Sequence, residues 1–433
     1  MSLLAAFMVP HPPMLLPEVG KGREAMLSET LRGYERVAER IASLAPDTIV
    51  ISSPHGVAFP RYFNISTGET ESGSLERFGA PGVRLEVPLD TIFSMQLAGN
   101  AEKAGIEAGA QGCREACLDH GTLIPLWFIL QKYKSFRLVR IGRSGHPMSA
   151  WYALGMEIQA VSSELNRRTV FIASGDLSHK LKENGPYGFD PAGPEYDFRI
   201  TGVMERADFG ELFGFDAGFL KKASQCGHNS FAMLAGTLDS RPVRAEKLSY
   251  QDVTGVGYAI CAFEPLSDTP EPSRAFLDKY LKQEREKLKS SGRTTPEDLY
   301  VRLAGKALEA FVLSGRRLWW DQLKQDFPNP GEELSEDFER LGEDCPGTAV
   351  TLLKNGAERT RCGIPHRIPI SLADEIIDLT ITAGSEDPDF PPVRPEDLPG
   401  ISCRVEILQS SGANGENLTA EVHEQDGPAS QKG

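Results

Sequence analysis

The chain has 433 residues, 40% of them hydrophobic and 25% charged, with a formal net charge of -15. That length and mix describe a folded protein with room for two domains and a sizeable core, and exclude a chain disordered throughout. The acid excess argues against a general phosphate-binding surface, so no nucleic-acid partner is expected.

The N-terminal stretch "MSLLAAFMVPHPP" is apolar but lacks the basic start and small-residue cleavage pattern of a signal peptide. "SLLAAFMVPH", "DTIVISSPH", "RLVRIG", "TVFIASGDLSH" and "GVGYAICAF" are short, nearly continuous apolar runs, the pattern of strands covered on both faces. Between the first two, Leu27, Leu31, Tyr34, Ala38 and Ile41 recur at steps of four, three, four and three, one stripe of a helix. Strands alternating with helices predict an α/β sandwich on a mixed or parallel sheet. The longest apolar run, Leu123 to Leu130, is too short to span a bilayer and contains Pro125. A cytoplasmic location without membrane attachment is the resulting expectation. Seven cysteines, an odd number with no CxxC pair, indicate reduced thiols rather than a disulfide framework or zinc ribbon.

"AFEPLSDTPEPSRAF" sets Pro265, Pro270 and Pro272 among polar residues and reads as a linker, placed at 266–275 between a first domain of 1–265 and a second of 276–410. In the second domain Thr295 is a good N-cap, with Pro296 at the first helical position and Gly315 closing the helix. "TAVTLLKNGAERTRC" predicts a hairpin turning at Asn355 and Gly356. Ser371 with Asp374 caps a helix running to about Gly384, and "ISCRVEIL" alternates Ile401, Cys403, Val405 and Ile407 on one strand face. This second domain is a smaller α+β module. Residues 411–433 carry almost no apolar content and are expected to be a disordered tail.

Six of the eight histidines fall in the first domain. His11, His55 and His179 each follow a strand-like run, and residues just past the carboxyl ends of strands in an α/β sheet gather around one crevice. His120 precedes an apolar segment, His146 lies in a loop, and His228 stands near the start of a helix. Imidazoles with one further ligand and open positions suit non-haem iron(II), and zinc accepts the same ligand types. The ligand types alone do not choose between them.

"MVPHPP", "SSPHG", "DHGTLIPLWF", "SGDLSHKL" followed by "GPYGFDPAGPEYD", and "YQDVTGVGYAICAFE" together resemble the class III extradiol ring-cleavage dioxygenases, the LigB-like superfamily that includes the Memo proteins. "DLYVRLAGKALEAFV" and "GTAVTLLKNGAERTRCGI" are similar to the AMMECR1 domain. The resemblance implies a LigB-like sandwich with a mixed central sheet followed by an AMMECR1-like α+β domain. It implies an oxidoreductase of aromatic compound metabolism that cleaves a catechol-like substrate with O2 at ferrous iron. The alternative it implies is a metal-binding Memo-like protein acting with the AMMECR1 module beside a radical SAM protein, without catechol cleavage. A homo-oligomer is compatible with either.

Carried over residue by residue, the resemblance puts the first two metal ligands on His11 and His55, the acid/base histidine on His179, and a second active-site histidine on His120. The third ligand of the dioxygenases is a glutamate, whereas this chain reads "KKASQCGHNSFAMLAGTL" there, with Cys226 at the nearest position and His228 as the other candidate. A thiolate or imidazole in place of a carboxylate softens the site toward Zn2+ or Cu+, alternatives to Fe2+. Asp119 either caps a helix or orients an imidazole. Asp176 reads foremost as a cap for the segment after its strand, with a place beside the metal as the other reading. Ser178 lacks the glycine-flanked elbow of a hydrolase nucleophile. In the second domain Cys362 reads as a buried structural cysteine or as a reactive thiol whose pKa Arg359 and Arg361 depress.

Overall fold

A computed structural model describes residues 2–109, 118–292, 295–324, 327, 335–343, 347–364, 370–411 and 417–424. Compact packing divides the chain after Tyr280, giving units Met1–Tyr280 and Leu281–Gly433.

The first unit is built on six strands: β1 (Leu3–Val9), β2 (Thr48–Ser52), β3 (Arg137–Ile141), β4 (Thr169–Ser174), β5 (Val243–Gln251) and β6 (Tyr258–Pro265). Their order across the sheet is β3-β2-β4-β1-β6-β5. The first four are mutually parallel, while β6 runs antiparallel to β1 and β5 antiparallel to β6, so the sheet is mixed. The apolar runs are explained by burial: every residue of β2 and β4 is buried, as helices cover both faces of an α/β sheet. The predicted helical stripe forms α1 (Ser28–Leu44), with Tyr34, Ala38 and Ile41 buried, while Leu27 is buried in the 3-10 turn just before it.

Strand register decides where the chain delivers its polar side chains. Val9 lies opposite Ser174, and Ser52 lies opposite both Ala173 and Ile141, so the four parallel strands end level. Any side chain two to five residues beyond those ends is delivered to one edge of the sheet. Among the helices of this unit are α2 (His120–Leu130), α3 (Met148–Glu164), α4 (Ala192–Arg206) and α5 (His228–Thr237). None of the described helices is long and apolar enough to cross a membrane.

The second unit carries an antiparallel sheet of β7 (Thr348–Lys354), β8 (Ala357–Ile364), β9 (Ile401–Ser411) and β10 (Asn417–Glu424), in the order β8-β7-β9-β10. Helices α6 (Leu299–Ser314) and α7 (Leu372–Ser385) pack on it. Asn355 and Gly356 both take positive φ, 53° and 79°, the requirement of the tight turn that joins twisted strands. Ser371 accepts the Asp374 N–H at the start of α7, and Ile401, Cys403, Val405 and Ile407 are buried as their alternation predicts.

Two expectations change. The cap of α6 is Asp298 and not Thr295: the Asp298 carboxylate accepts the Val301 N–H at 2.9 Å, so the helix begins a turn later than the Pro296 signal suggests. The tail expected from 411 onward instead supplies β10, which pairs with β9 from Arg404 to Ser411. Backbone ladder bonds along an open sheet edge do not require apolar side chains, and His423 adds a 2.8 Å ion pair with Asp298. Residues 412–416 and 425–433 of that tail lie outside the described residues.

Candidate metal centre

The level strand ends bring the expected histidines together. His11 lies two residues past β1, His55 three past β2 and His179 five past β4, while His120 opens α2 and Cys226 lies just ahead of α5. Ligand atoms of His11, His55 and Cys226 all lie within 4.8 Å of one another, and the same holds for Asp176, His179 and Cys226. The His120 ring stacks on His55 with centroids 4.1 Å apart and meets His11 edge-on at 5.4 Å.

Hydrogen bonding sets the His11 tautomer. Ser174, the last residue of β4, donates its hydroxyl to the Gly121 carbonyl and therefore receives the His11 Nδ1–H, at 2.8 Å. That leaves the His11 Nε2 lone pair facing His55 Nε2 at 2.9 Å and Cys226 Sγ at 3.7 Å. Burial pushes His11 down to about 3, with His55 adding to the effect, and lowers His120 to about 3 for the same leading reason. His55 and His179 are also lowered by burial, with nearby carboxylates opposing. The cluster is therefore a set of neutral imidazoles, the state a metal ligand requires. Burial raises the Cys226 thiol well above its usual range. A bound cation would reverse that effect and hold a thiolate.

His228 is not part of this cluster. It is 1% exposed, with Nδ1 3.3 Å from the Tyr196 hydroxyl and Nε2 3.3 Å from the Leu212 carbonyl. Two positions along the helix start suffice to turn it toward the core, away from the side Cys226 faces.

Asp176 departs from its favoured reading as a cap for the following segment. Its Oδ1 accepts the His11 N–H at 2.8 Å and its Oδ2 lies 4.0 Å from His179 Nε2. Neighbouring parallel strands place their first residues beyond the sheet against each other, so the carboxylate is captured across strands. Burial raises it to about 6, against the pull of the His11 amide. Asp119 caps α2 through the Thr122 N–H and also accepts from the Ser53 hydroxyl at 2.5 Å, which ties the His55 loop to the His120 helix. Ser178 is structural, donating to the Ala223 carbonyl.

Glycine is required where the Cys226 segment meets β4. A Cβ on Gly175 would sit 2.2 Å from Gly227 Cα, so only two glycines let these backbones pass closely enough to bring Cys226 to Asp176. Sequence reasoning on histidines alone missed Ser174, Tyr187, which stacks on His179 at 5.0 Å, and Phe78, 5.0 Å from His120. It also passed over Arg143, although Arg143 follows β3 by two residues and so obeys the strand-end rule that found the histidines.

In the second unit, Cys362 sits in β8 opposite Val350 and is partly exposed. The two arginines that the reactive-thiol reading relies on point elsewhere: Arg361 pairs with Glu406 and Arg359 reaches the Pro391 carbonyl. Successive strand residues face opposite sides, which carries Arg361 away from Cys362.

The family model of the catalytic LigB subunit of aromatic ring-opening dioxygenase matches residues 5–261, and the AMMECR1 model matches residues 301–423. Protein CA_C1420 of Clostridium acetobutylicum is 33% identical over 415 residues, covering 94% of this chain and 85% of that protein. The 2-aminophenol 1,6-dioxygenase beta subunit of a Pseudomonas species is 22% identical over 284 residues, 60% of this chain and 93% of that protein. Among solved structures, an uncharacterized Escherichia coli protein, JW3007, is similar with 16% identity over 60% of this chain and 99% of that chain, at a TM-score of 0.36.

Proposed function

Starting from a chain that belongs to the LigB family of aromatic ring-opening dioxygenases and carries an AMMECR1 domain behind it, we propose that the first domain is a metal-dependent extradiol-type dioxygenase acting on a catechol-like aromatic with O2. The observation that carries this reading is the convergence of His11, His55 and Cys226 within 4.8 Å, with the His11 lone pair turned inward by Ser174. Two neutral imidazoles and a buried thiol fit a metal ion. His11, His55 and Cys226 would hold it; Fe2+ is the proposed ion, with Zn2+ and Cu+ as the alternatives a sulfur donor admits. The metal would supply a Lewis-acid centre and the electron transfer that O2 chemistry needs.

The remaining work falls to this chain's own side chains. His179, kept neutral by burial, is the base that takes a substrate hydroxyl proton and later returns one. Asp176 beside it stabilises the imidazolium so formed and, through the His11 amide, fixes the two strand ends relative to each other. His120, stacked on His55, presents an imidazole edge to the bound reactants, with the Phe78 ring beside it.

The test is oxygen uptake by anaerobically iron-loaded protein against a panel of catechols. Uptake is expected for at least one, with His179→Gln lowering the turnover by roughly 100-fold or more while leaving iron content unchanged. Absence of uptake across the panel despite stoichiometric iron would refute the dioxygenase reading. It would favour the second one, a Memo-like metal protein working with its AMMECR1 module in a radical SAM-associated system, which Cys226 in place of a carboxylate also supports.

A further inference from the structure

The second unit holds a cavity of about 300 Å³ lined from two helices, the end of Phe276–Ser290 and the first half of α6. Arg285 and Lys289 line it from the first helix, and Arg302 and Lys306 line it from α6. Each pair has i, i+4 spacing and so shares one face of its helix. Leu288, 8% exposed, adds apolar lining, and Glu309 is the one carboxylate there among the described residues. Four cations around one small cavity stand out in a chain with 46 basic residues against 61 acidic ones.

Like charges at i, i+4 repel, and three of the four have no carboxylate to offset it. Arg285, Lys289 and Arg302 form no ion pair among the described residues. The first two stand in the last turns of their helix, where the negative end of the dipole favours a cation. Arg302 stands in the first turn of α6, where the positive end opposes one. Its Nε–H is also buried without an acceptor among the described residues. Phe327, 5% exposed, lies with its ring centroid 4.9 Å from the Arg302 guanidinium and 5.3 Å from Lys306 Nζ, which fixes where both charges stand. An anion in the cavity would relieve the repulsion, the dipole conflict and the unpaired donor together.

We propose that this cavity binds a small ligand through a diphosphate or triphosphate group, with Arg302 as its central contact. A carboxylate matches one guanidinium fork, and a monophosphate carries only about 1.5–2 charges near neutral pH. Either would leave cations repelling one another. Two or three linked phosphoryl groups reach both helices at once, with guanidinium and ammonium donors on each side. A nucleic-acid strand fits less well, because the cavity is small and the net charge of -15 repels a polyanion that extends beyond it. The AMMECR1 domain thereby has a ligand of its own, independent of the reading of the metal centre.

The test titrates the full chain, free of metal and magnesium, with pyrophosphate by calorimetry. Binding is expected in the wild type, and Arg302→Gln is expected to weaken it about tenfold. The double variant Arg285→Gln with Lys289→Gln should do the same, and since both residues are exposed it keeps the test valid if Arg302→Gln unfolds. Lys282→Gln removes an exposed cation of the same helix outside the cavity and should bind as the wild type does. Absent binding, binding unchanged in the cavity variants, or an equal loss in Lys282→Gln overturns the proposal. Citrate is expected to bind about tenfold more weakly than pyrophosphate; equal affinity would reduce the cavity to an unselective cationic patch and overturn it as well. A hexaglutamate peptide that binds more tightly than pyrophosphate would overturn it in favour of an acidic protein partner. Tripolyphosphate and ATP in parallel separate the sources: tighter binding of ATP supports a nucleotide, and equal binding supports the phosphate chain alone.

Discussion

Replacing Ser174 with alanine tests the centre at the point where sequence and geometry meet. The hydroxyl accepts the His11 Nδ1–H at 2.8 Å and donates to the Gly121 carbonyl, and all three groups are buried. Removing it strands one donor and one acceptor, each worth about 1–3 kcal/mol, so Ser174→Ala should destabilise the first unit by roughly 2–6 kcal/mol. Partial rotation of the freed imidazole, or a shift of its proton to Nε2, would take the lone pair away from His55 and Cys226. Loss of such a partner behind a ligating histidine typically weakens metal binding by about 10–100-fold. The assay is competition for Fe2+ and Zn2+ against a chromophoric chelator, with denaturant unfolding of the metal-free proteins alongside. A Ser174→Ala protein that unfolds earlier yet binds metal within twofold of the wild type would refute the claim that Ser174 sets the His11 tautomer for a ligand role.

Further outcomes are expected. Cys226→Ser should lower retained metal, measured by elemental analysis after gel filtration, whereas His228→Asn should keep it and instead reduce stability by removing contacts to Tyr196 and Leu212. Gly175→Ala should displace the Cys226 segment, because its Cβ would lie 2.2 Å from Gly227 Cα; a crystal structure or thiol-labelling rates would register the shift, and unchanged rates would count against it. The second unit should show a pH-dependent stability from the His423–Asp298 pair. His423 is raised, chiefly by its Asp298 hydrogen bond with Glu421 and Asp337 assisting, so its contribution is present below its unfolded pKa and lost as pH rises through the raised folded value. Asp298 is lowered, although its burial alone would raise it, by hydrogen bonds from His423 and the Val301 amide, so its contribution is present above its unfolded pKa and lost as pH falls through the lowered folded one. The pair therefore stabilises most between about pH 4 and pH 6.5; His423→Gln should lower the denaturant midpoint most inside that window and remove its fall on either side, and an unchanged profile would remove the pair from the account.

Local pattern was enough to identify the two domain types, the strands, and the histidines that the strand ends bring together. Apolar runs ending in His11, His55 and His179 are a statement about burial on one side and delivery on the other, and that information is local to each run. The Asn355–Gly356 turn, the Ser371 cap and the alternation in β9 were legible for the same reason, since a turn, a cap and a strand face are each set within a few residues.

Contacts between segments far apart in the chain decided the rest. A linear reading puts Cys226 first and leaves His228 as the alternative ligand; the helix start turns Cys226 toward His11 and His228 toward Tyr196. Asp176 has a nearby backbone to cap, but the level ends of β1 and β4 offer it the His11 amide instead. Residues 417–424, too poor in apolar side chains to form a core, become a strand because the edge of β9 offers them a ladder and Asp298 offers His423 a partner. In each case the deciding energy is a hydrogen bond or ion pair made across the fold, and a partner far away in the chain leaves no mark on the local pattern.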